Sequence, residues 1–161
     1  MTEGSLHLPR LYAIIDAGLL ATRVPPGRLT AEICDFAEAL AAGGATLFQY
    51  RAKNLSSREM LSHARELRRV LGPKRTLFMN DRPDLCLAAG FDGVHLGQDD
   101  LSPEGARAIL GNRLWIGVST HSAEQAKRAA ESEADYVAIG PVFPTTTKGN
   151  PDPVVGLEGV R

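Results

Sequence analysis

The segment TLFQYRAKN, residues 46–54, places three polar side chains of different chemistry at alternate positions. Gln49, Arg51 and Lys53 supply an amide, a guanidinium and an ammonium group. Side chains two residues apart on a β-strand point to the same side of a sheet. Arginine binds phosphate oxygens through two parallel hydrogen bonds, and lysine binds them as a point charge. The pattern therefore predicts a strand that leaves the core and ends at a binding site.

Polar residues also follow the other strand-like runs of the chain. They are Asn80 and Asp81 after TLFM, His95, Gln98, Asp99 and Asp100 in and after GVHL, Ser119, Thr120 and His121 after LWIGV, and the segment PVFPTTTKGNPDP at 141–153. Each set also has an ordinary structural interpretation. Asn80-Asp81 and 119–122 suit helix N-caps. Asp99 and Asp100 suit solvated loop charges, and His95 suits a core histidine. The segment 141–153 suits a Pro/Gly loop.

The joint placement of these groups favours a functional site. Ligands of parallel α/β folds bind beyond the carboxyl ends of the strands. Asp81 and Asp100 follow neighbouring predicted strands, and the cations Arg51, Lys53 and Lys148 follow others. Magnesium is usually held by one or two carboxylates together with phosphate oxygens and water. The residues therefore predict a Mg²⁺–diphosphate site.

The elements that must position this site alternate between strand and helix. Strands are predicted at 11–15, 46–50, 76–79, 93–96, 114–119 and 136–140, and helices at about 28–42, 56–71, 82–89, 102–110 and 122–132, with a last one from about 157. Ser56 with Glu59 fits a capping box, and Ser102 before Pro103 fits an N-cap followed by proline. Strict alternation with short runs is typical of parallel βαβ units in a barrel or a doubly wound sheet.

Length and composition bound the class of protein. The chain has 161 residues, of which 43% are hydrophobic and 23% charged, with a net charge of −1. We expect one domain over 1–161, without the basic surface of a nucleic-acid binder. Cys34 and Cys86 lie singly in apolar helical stretches, which indicates buried free thiols in a reducing compartment. No apolar run reaches the roughly 20 residues of a membrane helix, and the first ten residues lack a signal-peptide core. We expect a cytoplasmic protein.

The chain resembles the thiamine-phosphate synthase family of TIM-barrel enzymes. The resemblance rests on LYAIID, GGATLFQYRAKN, FMNDRPDLCLAAGFDGVHLGQDDLSP, IGVSTHS and ADYVAIGPVFPTTTKGNPDPVVGLEGV, which cover nearly the whole chain. It implies an α/β fold of the (β/α)₈-barrel family. It also implies a Mg²⁺-dependent transferase that joins an aminopyrimidine diphosphate to a thiazole phosphate and releases diphosphate. The implied partners are these small molecules, with no nucleic acid or membrane, and a homodimer is expected by resemblance.

The resemblance also implies roles for individual residues. Asp81 and Asp100 would hold Mg²⁺. Gln49 would place the aminopyrimidine. The diphosphate would be bound by Arg51, Lys53, Asn80 and Lys148, with Ser119 contacting it as it departs and Thr145 and Thr147 contacting the phosphate groups. Ser119, Lys148 and Arg51 would act in catalysis, and His95 and His121 are assigned to the pocket only by placement.

The chain departs from the family in its number of strands. It supplies about six βα units, and the last two strands of the barrel, which would help bind the thiazole phosphate, are not found in it. We expect either a fragment of a complete enzyme, a barrel completed by another chain, or a shortened paralogue that binds diphosphates without catalysis. A thiazole tautomerase relative is a further alternative, with His121 as its base. Retention of both Asp81 and Asp100 favours the synthase.

Overall fold

Six parallel strands form one sheet whose spatial order is their order along the chain. The computed structural model describes residues 6, 8–25, 27–144 and 152–161. The strands are β1 (Tyr12–Asp16), β2 (Leu47–Arg51), β3 (Thr76–Asn80), β4 (Gly93–Leu96), β5 (Trp115–Thr120) and β6 (Tyr136–Ile139). The α-helices are α1 (Ala17–Ala21), α2 (Leu29–Ala42), α3 (Ser57–Leu71), α4 (Pro83–Ala89), α5 (Pro103–Leu110) and α6 (Ala123–Ala130), and 3-10 turns lie at Gly111–Arg113 and Glu158–Val160.

The sheet curls as part of a TIM-like (β/α) barrel, which confirms the expected fold. Strands β1 and β6 stand at opposite ends of the strand order. Nevertheless, the hydroxyls of Tyr12 on β1 and Tyr136 on β6 approach to 3.1 Å across the inner face. A flat sheet of this size would hold its outer strands about 24 Å apart, because neighbouring strands are about 4.8 Å apart.

The two faces of the sheet have different surroundings. Outward side chains such as Ile15, Phe48 and Met79 are at most 1% exposed and belong to the core with the helices. The inner face carries the buried polar side chains of Gln49 and His95. Strands covered on both faces are expected to be apolar throughout, so these polar side chains make the inner face a candidate for a functional site.

The strand predictions are confirmed to within one residue at each end. The helix start signals are also confirmed. Ser56 and Glu59 form the capping box, with Glu59 N–H donating to Ser56 Oγ at 3.3 Å and Ser56 N–H to the Glu59 carboxylate at 2.9 Å. Ser102 Oγ accepts from Gly105 N–H at 3.2 Å, directly before Pro103.

Three details differ from the predicted elements. Helix α1 follows β1 directly and was not expected, α6 ends at Ala130, and the segment near 157 forms a 3-10 turn. Cys34 is partly exposed rather than buried, whereas Cys86 is buried, and both thiols are free. Among the described residues, no helix is both long enough and apolar enough to span a membrane.

Candidate active site

A cavity of about 470 Å³ opens at the carboxyl ends of the strands. Its walls include all the described residues that the sequence assigned to the site, namely Gln49, Arg51, Lys53, Asn80, Asp81, His95, Asp100, Ser119 and His121. Thr145, Thr147 and Lys148 lie outside the described residues. The fold therefore brings one predicted set of side chains from four different strands and their following loops to a single space.

The two predicted metal ligands face each other in this cavity. Burial raises the pKa of Asp100, and the neighbouring Asp81 carboxyl raises it further. Asp100 also accepts a hydrogen bond from Gly97 N–H at 2.7 Å. Two carboxylates in contact repel each other when both are ionised, and a divalent cation removes this repulsion. This pair therefore fits Mg²⁺.

The donor set is one that suits magnesium and not a metal that needs many protein ligands. Within the described ranges, no cluster of three or more His, Cys, Asp or Glu side chains could hold a metal ion. Mg²⁺ typically uses one or two protein carboxylates and takes its other ligands from water and substrate phosphates. A pair of aspartates agrees with this coordination, so the lack of a third protein ligand among the described residues does not argue against a magnesium site.

Asp81 does not cap a helix. It has a backbone φ of 63° and is the one non-glycine residue with positive φ in the described part of the chain. Its N–H donates to the carbonyl of His95 at 2.9 Å. The N-cap position of α4 is instead Arg82, which makes no side-chain cap hydrogen bond. The helix-cap interpretation of Asn80-Asp81 is therefore wrong, and the left-handed backbone serves to turn the Asp81 carboxylate into the cavity.

Both described cations of the site are held by carboxylates. Arg51 Nη1 forms a close ion pair with Asp16 Oδ2, and Lys53 Nζ lies 3.3 Å from Asp81 Oδ2. Asp16 also caps α1 by accepting from Leu19 N–H at 3.1 Å. The Lys53 side chain is 53% exposed and that of Arg51 is 25% exposed, so both remain accessible at the cavity mouth to an anionic ligand.

A chain of hydrogen bonds crosses the inner face behind the cavity wall; we call it the inner hydrogen-bond chain. It consists of Gln49, Tyr12, Tyr136, His95 and Ser119. Gln49 Nε2 donates to the Tyr12 hydroxyl at 3.2 Å, and the Tyr136 hydroxyl donates to the same oxygen at 3.1 Å. His95 joins Tyr136 through Nδ1 at 2.7 Å and Ser119 Oγ through Nε2 at 2.8 Å. The chain links the β2 wall of the cavity to the β5 wall.

The register of the strands makes room for this chain. Gly117 is paired with both His95 and Tyr136 across β4, β5 and β6. A Cβ atom at Gly117 would lie 2.0 Å from Cζ of Tyr136, so only glycine leaves space for that ring. The rings of His95 and Tyr136 are then 5.6 Å apart. Burial raises the pKa of Tyr12 to about 12 and that of Tyr136 still further, which keeps both phenols protonated.

His121 is engaged through both of its ring nitrogens. Nδ1 forms a short contact with the carbonyl of Gly140, and Nε2 lies 3.2 Å from Asp152 Oδ2. Its backbone N–H donates to Gln125 Oε1 at 2.6 Å. Both ring nitrogens of His121 therefore make contacts within the chain. This arrangement suits a structural link between β5 and the loop after β6.

Several residues of the site were not identified from the sequence. Asp16 ends β1 and could have been found by the same rule that found Asn80 at the end of β3. Tyr12 and Tyr136 begin their strands, and an aromatic residue at that position is typical of any buried strand. Asp152 contacts His121 only because the chain returns there after β6, and local sequence carries no signal for such a contact.

The thiamine monophosphate synthase family model matches residues 11–161 of this chain. The thiamine-phosphate synthase of Koribacter versatilis is 56% identical over 97% of this chain and 72% of its own length. That of Agrobacterium fabrum is 45% identical over 93% of this chain and 65% of its own length. The chain thus spans roughly two thirds of the length of such relatives.

Solved structures resemble the described fold. A thiamine phosphate pyrophosphorylase from Pyrococcus furiosus superposes with a TM-score of 0.75 and 35% identity, covering 92% of this chain and 66% of that one. A structure described as a putative dihydrodipicolinate synthetase from Pseudomonas aeruginosa superposes with a TM-score of 0.58 at 15% identity. The second likeness shows the barrel fold alone.

Proposed function

Because this chain belongs to the thiamine monophosphate synthase family, we propose that its cavity couples an aminopyrimidine diphosphate to a thiazole phosphate. The substrate would be 4-amino-5-hydroxymethyl-2-methylpyrimidine diphosphate, and the products are thiamine phosphate and diphosphate. The observation that carries the proposal is the pair Asp81 and Asp100 beside Arg51 and Lys53 in one cavity. Carboxylates for a metal next to cations for phosphate are the groups that a departing diphosphate requires.

The diphosphate end of the substrate belongs at the mouth of the cavity. Asp81 and Asp100 would hold Mg²⁺, which when bound would neutralise charge on the leaving diphosphate. Arg51 and Lys53 would bind the diphosphate oxygens, with their orientation already fixed by Asp16 and Asp81. Asn80 and Ser119 supply neutral polar groups on the same wall. Groups that are in place before the reaction lose little free energy in reorienting as charge develops.

The ring end of the substrate belongs deeper on the inner face. Gln49 is 4% exposed and bonded to Tyr12, so its amide is held in one position to meet the aminopyrimidine. Electron donation from that ring allows the bond to the diphosphate oxygen to break before the new bond forms. The thiazole nitrogen then attacks the methylene carbon with its lone pair, and no covalent bond to the protein is needed. The roles of Thr145, Thr147 and Lys148 at the phosphates remain predictions from the resemblance.

The alternatives receive less support. A tautomerase of this family would use His121 as a base, yet both ring nitrogens of His121 are already engaged, by Gly140 and Asp152. A non-catalytic diphosphate-binding paralogue would need the anion site but gains nothing from a buried amide such as Gln49 at the ring end.

As part of the proposal we also expect a cytoplasmic homodimer that acts on small molecules, without nucleic acid or membrane. Light scattering on the purified protein measures the oligomeric state.

The replacement Asp100→Asn tests the proposal. It keeps the acceptor for Gly97 N–H and removes one charge from the metal pair. We expect Mg²⁺-dependent coupling to fall about 100-fold or more. Chelation of the metal should remove coupling by the wild-type protein to a similar extent. The matched control is Asp84→Asn, since Asp84 pairs with Arg82 on the surface at 2.6 Å and should leave turnover unchanged. Normal turnover in Asp100→Asn would contradict the assignment.

The same variant separates lost chemistry from lost folding. The pKa of Asp100 is raised in the folded state, so ionised Asp100 destabilises that state at pH values above its raised pKa. This penalty disappears as pH falls below the ordinary aspartate pKa. Without metal, Asp100→Asn should therefore raise the free energy of unfolding at pH 7, by about 0.5 kcal/mol after allowance for solvent screening. Added Mg²⁺ should stabilise the wild-type protein more than the variant, which thermal unfolding measures.

A further inference from the structure

The two described cations of the cavity are paired with carboxylates of different kinds. Arg51 Nη1 forms its close ion pair with Asp16 Oδ2, and Asp16 ends β1, apart from the predicted metal ligands. Lys53 Nζ instead lies 3.3 Å from Asp81 Oδ2, and Asp81 is one of those ligands. Arg51 therefore has a carboxylate of its own, whereas Lys53 shares one with the metal.

The contact with Lys53 opposes the binding of a metal at Asp81. Lys53 also interacts electrostatically with Asp100, the other predicted ligand. In the metal-free chain its ammonium thus supplies part of the positive charge that the two carboxylates need. Mg²⁺ binds its oxygen ligands at about 2.0–2.1 Å and carries two charges. Like charges at such close range repel each other, so a metal bound to Asp81 should drive the Lys53 ammonium away.

The surroundings of this ion pair allow the lysine to move and hold the aspartate in place. The Lys53 side chain is more than half exposed. A smaller cavity of about 170 Å³ adjoins the active-site cavity and shares Lys53, Asn80 and Asp81 with it, so Lys53 stands between two open spaces. The backbone of Asp81 is fixed by its N–H bond to the carbonyl of His95 at 2.9 Å. The lysine is therefore the partner that can leave.

The charge of the cavity favours a metal before an anion. Among the described residues, its walls carry four aspartates, Asp81, Asp99, Asp100 and Asp152, but two cations, Arg51 and Lys53. Both cations are already paired with carboxylates. A net negative wall repels diphosphate, and a divalent cation bound to the aspartates offsets that excess.

We propose that Lys53 is an exchangeable cation, which neutralises Asp81 in the metal-free site and moves from Asp81 to the diphosphate when Mg²⁺ occupies Asp81 and Asp100. Lys53 thus opposes binding of the metal alone and favours binding of diphosphate once the metal is in place. Arg51 remains on Asp16 throughout. The inference rests on the proposed function and adds an order of binding to it, because the metal makes the Lys53 ammonium available to the anion.

Calorimetry on the full chain tests the exchange by measuring two affinities separately. The first is for Mg²⁺ alone, and the second is for inorganic diphosphate at saturating Mg²⁺. The test variant is Lys53→Met, which keeps an unbranched side chain without its charge. We expect it to bind Mg²⁺ alone about two- to fivefold more tightly than the wild-type protein, as loss of an exposed ion pair allows. It should bind diphosphate about tenfold more weakly, because a charged hydrogen-bond donor is lost.

Arg51→Met is the matched comparison, because it removes the other described cation of the same cavity. Its guanidinium is held by Asp16 and not by Asp81. In 0.15 M salt, which screens charges beyond about 8 Å, its loss should change the Mg²⁺ affinity by less than about twofold. Diphosphate should nevertheless bind more weakly, as in Lys53→Met. Circular dichroism checks that both variants are folded. A purely structural role of Lys53 would give no gain in metal affinity.

The outcomes separate this inference from the proposed function. Unchanged or weaker binding of Mg²⁺ alone by Lys53→Met would overturn the inference and leave the proposed function standing. Equal tightening in Lys53→Met and Arg51→Met would also overturn it, because the general charge of the cavity would then explain both. Binding of Mg²⁺ only together with diphosphate, in all three proteins, would do the same. Failure of diphosphate to bind the wild-type protein with Mg²⁺ would contradict the proposed function itself, and the inference with it.

Discussion

The backbone of Asp81 shows how a single residue can be held in an unfavourable conformation for the sake of its side chain. Its φ of 63° brings Cβ close to the following carbonyl, which costs roughly 1–2 kcal/mol for a residue other than glycine. The hydrogen bond from Asp81 N–H to His95 O at 2.9 Å holds this conformation. The carboxylate is thereby placed near Lys53 Nζ, at 3.3 Å, and beside Asp100.

Replacement of Asp81 should reveal this strain. Asp81→Gly removes both the Cβ and the like charge beside Asp100, whereas Asp81→Ala removes the charge but keeps the Cβ. We expect the glycine variant to be more stable than the alanine variant by about 1 kcal/mol, although glycine usually lowers stability elsewhere. Urea unfolding at pH 7 measures the difference. Equal stability of the two variants would mean that the backbone at Asp81 holds no strain. Independently of their stability, both variants should lack Mg²⁺-dependent coupling.

The residues found from the sequence are those whose placement follows from strand periodicity. Gln49, Arg51 and Asn80 lie at strand positions whose side is fixed by a period of two, and all three line the cavity. Tyr12 and Tyr136 obey the same period, but they contact each other only because the sheet curls. Curvature arises from packing over the whole sheet, and a local pattern carries no measure of it.

Helices α3 and α5 are each held to the amino ends of the strands by an arginine. The arginine bonds to a backbone carbonyl after its own helix and to an aspartate before the next strand, and we call this contact the arginine clamp. Arg68 on α3 donates to the carbonyl of Gly72 at 3.1 Å and to Asp92 Oδ2 at 2.6 Å. Arg107 on α5 donates to the carbonyl of Gly111 at 3.0 Å and to Asp135 Oδ2 at 2.8 Å. Each aspartate precedes the next strand and also accepts from the backbone N–H of the strand before it, at 2.7 Å in both cases.

The clamps should contribute to stability and not to catalysis. Arg68→Met and Arg107→Met each leave a partly buried aspartate without its cation, so each should lower the free energy of unfolding by roughly 2 kcal/mol. The two clamps share no residue, and the losses should add to within about 0.5 kcal/mol in the double variant.

Denaturant unfolding measures these losses, and the coupling assay should give an unchanged turnover for variants that remain folded. The matched control is Arg69→Met. Arg69 is 69% exposed and pairs with Glu66 on the same helix, so its loss should change stability by less than about 0.5 kcal/mol. Strong coupling between the two clamps would show that the halves of the sheet are not independent.

Helix α1 illustrates which elements a sequence pattern can miss. The strands and the longer helices repeat their apolar positions often enough to be recognised. Helix α1 has five residues, AGLLA, which is too few for a helical period to appear. It forms because Asp16 caps it at Leu19 N–H, 3.1 Å away, while the same carboxylate holds Arg51. Helix α1 therefore depends on the Asp16 carboxylate, which also pairs with Arg51 of the site.

At the scale of the whole molecule, the cavity and the core share the same strands. Phe48, Met79 and Val94 pack outward from β2, β3 and β4, and the inner faces of these strands carry the site. A ligand that bridges the strand ends should therefore resist unfolding of the entire sheet. Cys86 offers a probe of this coupling, because it is fully buried on α4 and its thiol donates to the carbonyl of Gly93 at 3.1 Å.

Labelling of Cys86 by a thiol reagent should report global unfolding. Burial raises its pKa to about 12, and the reagent attacks only a thiolate that it can reach. The partly exposed Cys34 is removed by Cys34→Ser so that a single thiol remains. Labelling should be slowed by a factor of about 10³ or more relative to the unfolded chain, since it requires an unfavourable opening.

Mg²⁺ with diphosphate at 100 times its dissociation constant should slow this labelling about 100-fold further. Arg68→Met should accelerate it about 30-fold, because a loss of 2 kcal/mol corresponds to that factor at 25 °C. Both effects are expected only if Cys86 becomes accessible when the ligand cavity and the Arg68 clamp unfold together. If neither ligand nor clamp changes the labelling rate, α4 opens by itself, and the cavity and the core are then separate units of stability.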